Sequence, residues 1–216
     1  MAFGDSEKTR RRLLDATREL LESPGESHAG LERIAARAGH SRQAIYRHFG
    51  SRAGLLKAVL ADIDERGGAE ASVRKVLDAG DARAVLDGLV AWWAGYVSGF
   101  AGVARSVYAG RASDPALAAA WDDRMEALLG VCRLVVDRCA DQGRLRAGLE
   151  RSVATEMLWG MLSIPLWDQL TVDRGWSEAE YRERIGSIAS VALLSARPAR
   201  RTDGLSPPYG PVKPPA

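Results

Sequence analysis

Apolar residues near the start of the chain return every three or four places and nowhere in sustained alternation, which is the mark of amphipathic helices and not of strands. Leu13, Ala16 and Leu20 form one such stripe. With Glu7 in the first turn they predict a helix that starts near Asp5 or Ser6. The segment SPGESHAG (23–30) ends it with Pro and Gly. In LERIAARA, Leu31, Ile34 and Ala35 share a face, and the following Gly39 suits the left-handed conformation of a helix end. Ser41 is placed to cap a third helix over 42–48, because its hydroxyl accepts from the free amides of the first turn. Ser51 caps a fourth, whose Leu55, Leu56, Val59, Leu60 and Ile63 recur on one side. ERGGAEA then lowers helix propensity and sets a joint or a helix end near Gly67 and Gly68.

Five longer helices are predicted beyond this joint, over 81–100, 103–112, 114–142, 150–173 and 177–196. Asp114 precedes Pro115, which fits the first helical position. Pro165 is expected to kink the fourth of these helices. Ser177 with Glu180 three places later makes a capping box for the last. The chain therefore reads as all-α, with a small N-terminal unit (5–50), a connecting helix and joint (51–80) and a larger helical domain (81–197). From Arg197 onward, six of the nine prolines occur with almost no apolar residues, so 198–216 reads as a disordered tail.

Composition changes this picture in three places. First, 216 residues with 46% hydrophobic content supply a sizeable core, while a formal charge of +2 says little about partners. The distribution says more: Arg33, Arg37, Arg42, Arg47, Arg52 and Lys57 lie between positions 33 and 61 with no Asp or Glu among them. A merely solvated face mixes signs, so this run points to a polyanion. Second, Cys132 and Cys139 are the only cysteines, with no CxxC and no paired His, which suits a reducing compartment. They belong to the stripe Leu117, Trp121, Met125, Leu128, Cys132, Val135, Cys139, which falls on one helix face and predicts both thiols buried. Seven residues apart on a straight helix they are about 10.5 Å from each other, out of disulfide reach. Third, no apolar run approaches a membrane span, and the N-terminus is charged where a signal peptide is apolar. A soluble, cytoplasmic protein is the expectation.

Two short helices meeting at a Gly-containing turn follow the helix-turn-helix plan, whose second helix enters the DNA major groove. Ala35, Ala36 and Ala38 allow the helices to approach closely, and Ile45 and Phe49 face inward at a spacing of four. Arg42, Gln43, Ala44, Arg47 and His48 are left outward. The stretch LERIAARAGHSRQAIYRHFGSRAGLLKAVL (31–60) resembles the TetR family signature: an IA, then AG, a Ser, YxHF, a cation shortly after, and a Leu pair. The first helix extends the likeness to about residue 10.

The resemblance implies a three-helix helix-turn-helix DNA-binding domain joined to a larger helical ligand-binding and dimerisation domain. It places Arg42, Gln43 and Ala44 at base edges, where Arg suits guanine, Gln suits adenine and an Ala methyl can touch a thymine methyl. Tyr46, His48 and Arg52 fall where backbone contacts are made, Arg47 is counted with the DNA-binding set, and Ser41 can serve phosphate as well as capping. Two positions depart from the usual pattern: His40 stands where Val is common, and Ala53 replaces a frequent acid. Tyr46 has packing as its other use. The triplet Arg10–Arg12 either reaches the duplex or forms a solvated helix start. His40 and His48 have no Cys or carboxylate near them in sequence and are not read as metal ligands.

So small a reading head requires a dimer on half-sites about 34–36 Å apart, or a multiple of that. The resemblance implies that the last two helices make the dimer. In the final one, Ile185, Ile188, Val191, Ala192 and Leu193 stand among small Gly186, Ser187, Ala189 and Ser190, with internal packing as the alternative use. It also implies a small-molecule pocket among the central helices. The aromatic-rich set Trp93, Tyr96, Phe100, Tyr108, Trp121, Met125 and Trp159 is chosen for that pocket, with ordinary core packing as the competing use, and it suits an apolar or planar inducer. No cofactor and no metal is implied. No Ser/His/Asp triplet, metal spacing or phosphate loop appears, and the only histidines are 28, 40 and 48, so an enzyme is not expected. Asp122, Asp123 and Glu126 read as a solvated face. The expectation is a homodimeric repressor released from a palindromic operator by its inducer, the alternatives being an activator, a regulator without inducer, or a helical enzyme.

Overall fold

The computed structural model describes residues 2–23, 26 and 29–196. The predicted tail and part of the 23–30 loop, including His28, lie outside the described residues. Among the described residues eleven α-helices run in the order α1 (Ala2–Glu22), α2 (Leu31–Ala38), α3 (Arg42–Phe49), α4 (Arg52–Gly67), α5 (Ala69–Leu77), α6 (Ala82–Ser98), α7 (Ala101–Gly110), α8 (Pro115–Asp141), α9 (Arg151–Met161), α10 (Ile164–Asp168) and α11 (Glu178–Leu193). A π-helical turn, Gln169–Asp173, follows α10. An isolated antiparallel bridge pairs Leu145 with Leu194.

Local chemistry explains most of the boundaries. The side chains of Ser41, Ser51, Asp81 and Asp114 each accept from a backbone N–H in the first turn of the helix they precede, so each satisfies donors that have no intrahelical partner. The Ser177–Glu180 capping box is present in both directions. Two elements differ from the sequence reading. Past Gly68, which takes φ +54°, the chain resumes as α5 where only a joint was expected. The predicted kink at Pro165 is instead a full break: α9 ends at Met161 and Ser163 caps a new helix, with Pro165 in its first turn, where a missing N–H costs nothing.

Among the described residues one apolar cluster runs from Leu13 in α1 to Leu194 after α11. In the N-terminal part Leu13, Ile34, Ile45 and Leu55 are each fully buried, and each such side chain contributes about 1.5–3 kcal/mol. Farther along, α11 packs along α6, and α8 packs on α9, α7 and α6. The axes of α6 and α7 bend by 79°, and no single helix among the described residues is long and apolar enough to cross a membrane. Both cysteines are free and buried, as their stripe predicts.

The reading head meets the larger part through α1 and α4. Glu22, the last residue of α1, accepts from the backbone N–H groups of Gly102 (2.9 Å) and Val103 (3.0 Å). Phe100, at the cap position of α7, offers no side-chain acceptor, so Glu22 caps α7 from another helix. A Cβ on Gly102 would lie 1.9 Å from the Leu21 carbonyl oxygen, so only glycine permits this approach. Arg18 adds a bond to the Gly99 carbonyl at 3.1 Å.

Candidate nucleic-acid interface and cavity

Gly39 takes φ +70° and ψ +30°, and its own N–H and that of His40 return to Ala36 and Ala35 carbonyls. This double return closes α2 and aims the chain so that Ser41 caps α3 at once, its Oγ accepting from Ala44 N at 3.3 Å. Helix α3 is thereby held on α2 and α4 by Ala44 and Ile45, at 6% and 0% exposure. Arg42, Gln43, Tyr46 and Arg47 form the opposite, exposed face.

The expected outward position of Ala44 is thus corrected. The head of α3 leans on its neighbours, the Ala44 methyl is covered by protein, and it is not available to a thymine methyl. His48 is half-buried beside Phe49, with Nε2 enclosed and without a hydrogen-bond partner. Burial, then the nearby Arg47, Arg10 and His40, lowers its pKa below the usual histidine value, so the ring is neutral near pH 7. Arg52 is also partly inward: its Nη1 donates to the Ala29 carbonyl at 2.7 Å, bracing the α1–α2 loop, and burial lowers its pKa. Of the triplet, Arg10 lies over the Phe49 ring at 5.8 Å and Arg11 pairs with Asp62 of α4 at 2.5 Å.

Folding also changes the charge picture. The run from 33 to 61 is free of acids only in sequence. Arg33 pairs with Glu26 (2.5 Å), Arg37 with Glu19 (3.0 Å) and Arg42 with Glu32 (2.7 Å). The Tyr46 hydroxyl and then Glu32 raise the Arg42 pKa above its ordinary value. All three arginines remain at least half exposed, so each pair exchanges readily with solvent or with another anion.

Behind the head, α4, α5, α6, α7 and α8 enclose a cavity of about 540 Å³. That size suits a drug-sized molecule. Trp93, Tyr96, Phe100, Trp121 and Met125 line it, as do Trp92, Arg124, Asp64 and Ile164, which the sequence reading did not select. Tyr108 and Trp159 stand behind the wall. Tyr108 packs edge-on against Trp121 at 4.8 Å, and Trp159 Nε1 donates to the Met125 carbonyl at 3.1 Å. Arg124 of α8 donates to Asp64 (2.5 Å) and the Leu60 carbonyl (2.9 Å) of α4 and to the Tyr96 hydroxyl (3.2 Å), and lies 5.8 Å from the Phe100 ring centre. The Tyr96 hydroxyl donates to Asp64, and burial followed by that carboxylate raises its pKa.

Exposed apolar side chains lie on α9 and α11, where Val153, Met157, Ile188 and Val191 are 43%, 37%, 50% and 68% exposed. Ile185, Ala189 and Leu193 turn inward, as does the small Gly186.

Residues 13–59 match the family described as "Bacterial regulatory proteins, tetR family". Over 57 residues the chain is 44% identical to the HTH-type transcriptional regulator SrpR of Pseudomonas putida, a stretch that covers 26% of this chain and 27% of that regulator. The chain thus matches only about a quarter of that relative's length. Among solved structures, a transcriptional regulator from Saccharomonospora viridis in complex with choline superposes with a TM-score of 0.73 at 20% identity, over 88% of this chain and 99% of the other. The SmeT–triclosan complex does so with a TM-score of 0.64 at 21% identity, over 96% and 99%. At these identities the structural likeness concerns the fold.

Proposed function

We propose, on the premise that residues 13–59 make this chain a member of the tetR family of bacterial regulators, that it is a cytoplasmic, ligand-responsive transcriptional repressor acting as a homodimer on a roughly palindromic operator. The observation that carries this reading is the face of α3. Arg42, Gln43, Tyr46 and Arg47 are exposed on a helix whose other side is locked into the core by Ile45. In the major groove Arg42 and Gln43 meet base edges, while Ser41, Tyr46 and Arg47 meet phosphates. Arg52 has five N–H donors and commits one to Ala29, so the others serve the backbone. His48, neutral and half-buried, seats the end of α3 and adds no charge.

Dimerisation uses the exposed Val153, Met157, Ile188 and Val191, whose burial against a second copy supplies the apolar centre of an interface. The cavity receives the effector, a small molecule with a large apolar or aromatic surface. Choline and triclosan complexes among the structural neighbours support a small molecule as the signal. A ligand shifts the head spacing only by its differential affinity for the two arrangements, and loss of the half-site match releases DNA.

The test is selection of bound duplexes from random DNA by the full chain, followed by a compound screen for release of the selected site. Recovery of a palindrome with half-sites about one helical turn apart supports the reading. Recovery of no preferred sequence at low ionic strength refutes it.

A further inference from the structure

The cavity's chemistry says more about its ligand than its volume does. Three acidic residues, Asp64, Glu70 and Asp123, contribute to its lining against one arginine, Arg124, and of these Glu70 is 91% exposed and already paired with Arg74 at 3.0 Å. That guanidinium is already engaged by Asp64, by the Leu60 carbonyl and by the Tyr96 hydroxyl, so it has little to offer an incoming anion. An anion entering here would find the one lining cation already committed and the Asp64 carboxylate beside it.

The walls point the same way. Trp92 and Tyr96 stack at 5.2 Å, and Phe100 meets Tyr96 edge-on at 4.8 Å. The negative π faces of such rings attract a cation, more strongly where water is excluded. Asp64 is the acid joined to the aromatic wall, through the Tyr96 hydroxyl. Its side chain is 46% exposed, whereas that of Arg124 is 21% exposed. A cation arriving from solvent therefore meets the more exposed member of the pair.

We infer that the cavity takes an organic cation with an aromatic or otherwise apolar body, and that this cation replaces Arg124 as the partner of Asp64. This inference rests on the ligand-responsive reading above and names its ligand class and its coupling. Asp64 and the Leu60 carbonyl belong to α4, the helix that follows the reading head, and Arg124 belongs to α8. While the pair is closed, it fastens the second half of α4 to α8. Exchange of partners at Asp64 removes the ion pair and leaves Arg124 bonded to α4 through the Leu60 carbonyl alone, so it loosens α4 without breaking any apolar contact of the head.

Tetraphenylphosphonium and tetraphenylborate are matched in size and shape and opposite in charge. Binding of each to the full chain is measured by calorimetry and tryptophan quenching, without DNA. The phosphonium is expected to bind at least about tenfold more tightly than the borate, and Asp64→Asn to remove most of that preference. Arg124→Gln, checked for folding by circular dichroism, is expected to strengthen phosphonium binding because Asp64 loses its resident partner. Equal or tighter borate binding, binding of neither probe, an unchanged preference in Asp64→Asn, or weaker phosphonium binding in folded Arg124→Gln overturns the inference. The two readings fail separately. Release of the selected operator by anions alone leaves the regulator reading standing and refutes the cation. Cation preference without any operator release refutes the ligand-responsive reading and leaves the preference standing.

Discussion

Replacing Glu22 with Ala removes an acceptor from two backbone donors at once. Gly102 N–H and Val103 N–H reach its carboxylate at 2.9 and 3.0 Å, and no side chain of α7 can substitute. A lost helix cap costs about 0.5–2 kcal/mol, and a carboxylate at a helix N-terminus adds about 0.3–1 kcal/mol through the helix dipole. The groups are only part-buried, so water recovers some of the bonding, and about 2 kcal/mol is the working figure. For a chain of this size that lowers Tm by about 4–8 °C. The assay is a thermal melt followed by circular dichroism, with Glu19→Ala as the control. Glu19 lies three places earlier on α1 in a pair with Arg37 that is 59% exposed on both sides, and its loss costs at most about 1 kcal/mol. A Glu22→Ala melt within about 1 °C of the parent, where the calculation requires several degrees, refutes the assignment of Glu22 as the cap of α7.

Three further outcomes are expected. Arg42→Ala should relax base preference at one operator position by about 1–3 kcal/mol in competition binding, and uniform weakening on all sequences contradicts its place at a base edge. Glu32→Gln frees Arg42 and should raise affinity for any duplex, by no more than about fivefold because the pair is exposed. Burial raises the Cys132 pKa from its ordinary 9.0 to about 12 and that of Cys139 to about 11, so neither thiol should react with an aromatic disulfide reagent at pH 8 until the protein unfolds. The sign for stability follows: the folded state holds these protons longer than the unfolded state, so stability falls as pH rises above about 9.

What was legible in the sequence was chemistry confined to one turn. Ser41, Ser51, Asp114 and Ser177 announce their helices because a cap needs only a side chain and the three residues after it. Gly39 announces its turn for the same reason. The missed features depend on what lies across the structure. A small residue such as Ala44 gives no sign of which way it faces, because either environment accepts a methyl. The double glycine hid α5, a helix of nine residues whose stability comes from packing on α6 and not from its own propensity. Arg124 sits between Asp123 and Met125 on a helix that also carries Asp122 and Glu126, so in sequence it resembles a solvated face. Its partner Asp64 is 60 positions away.

The three carboxylates that sit beside Arg33, Arg37 and Arg42 bear on how the protein behaves among the many polyanions of a cell. A bare cluster of guanidinium groups adheres to RNA, membranes and random duplex alike. Here every phosphate gained at these positions is a carboxylate relinquished, so a single chance encounter yields little net free energy. Long residence then belongs to a surface that offers correctly spaced phosphates and the matching base edges together, which makes the resting pairs a filter against the wrong polymer.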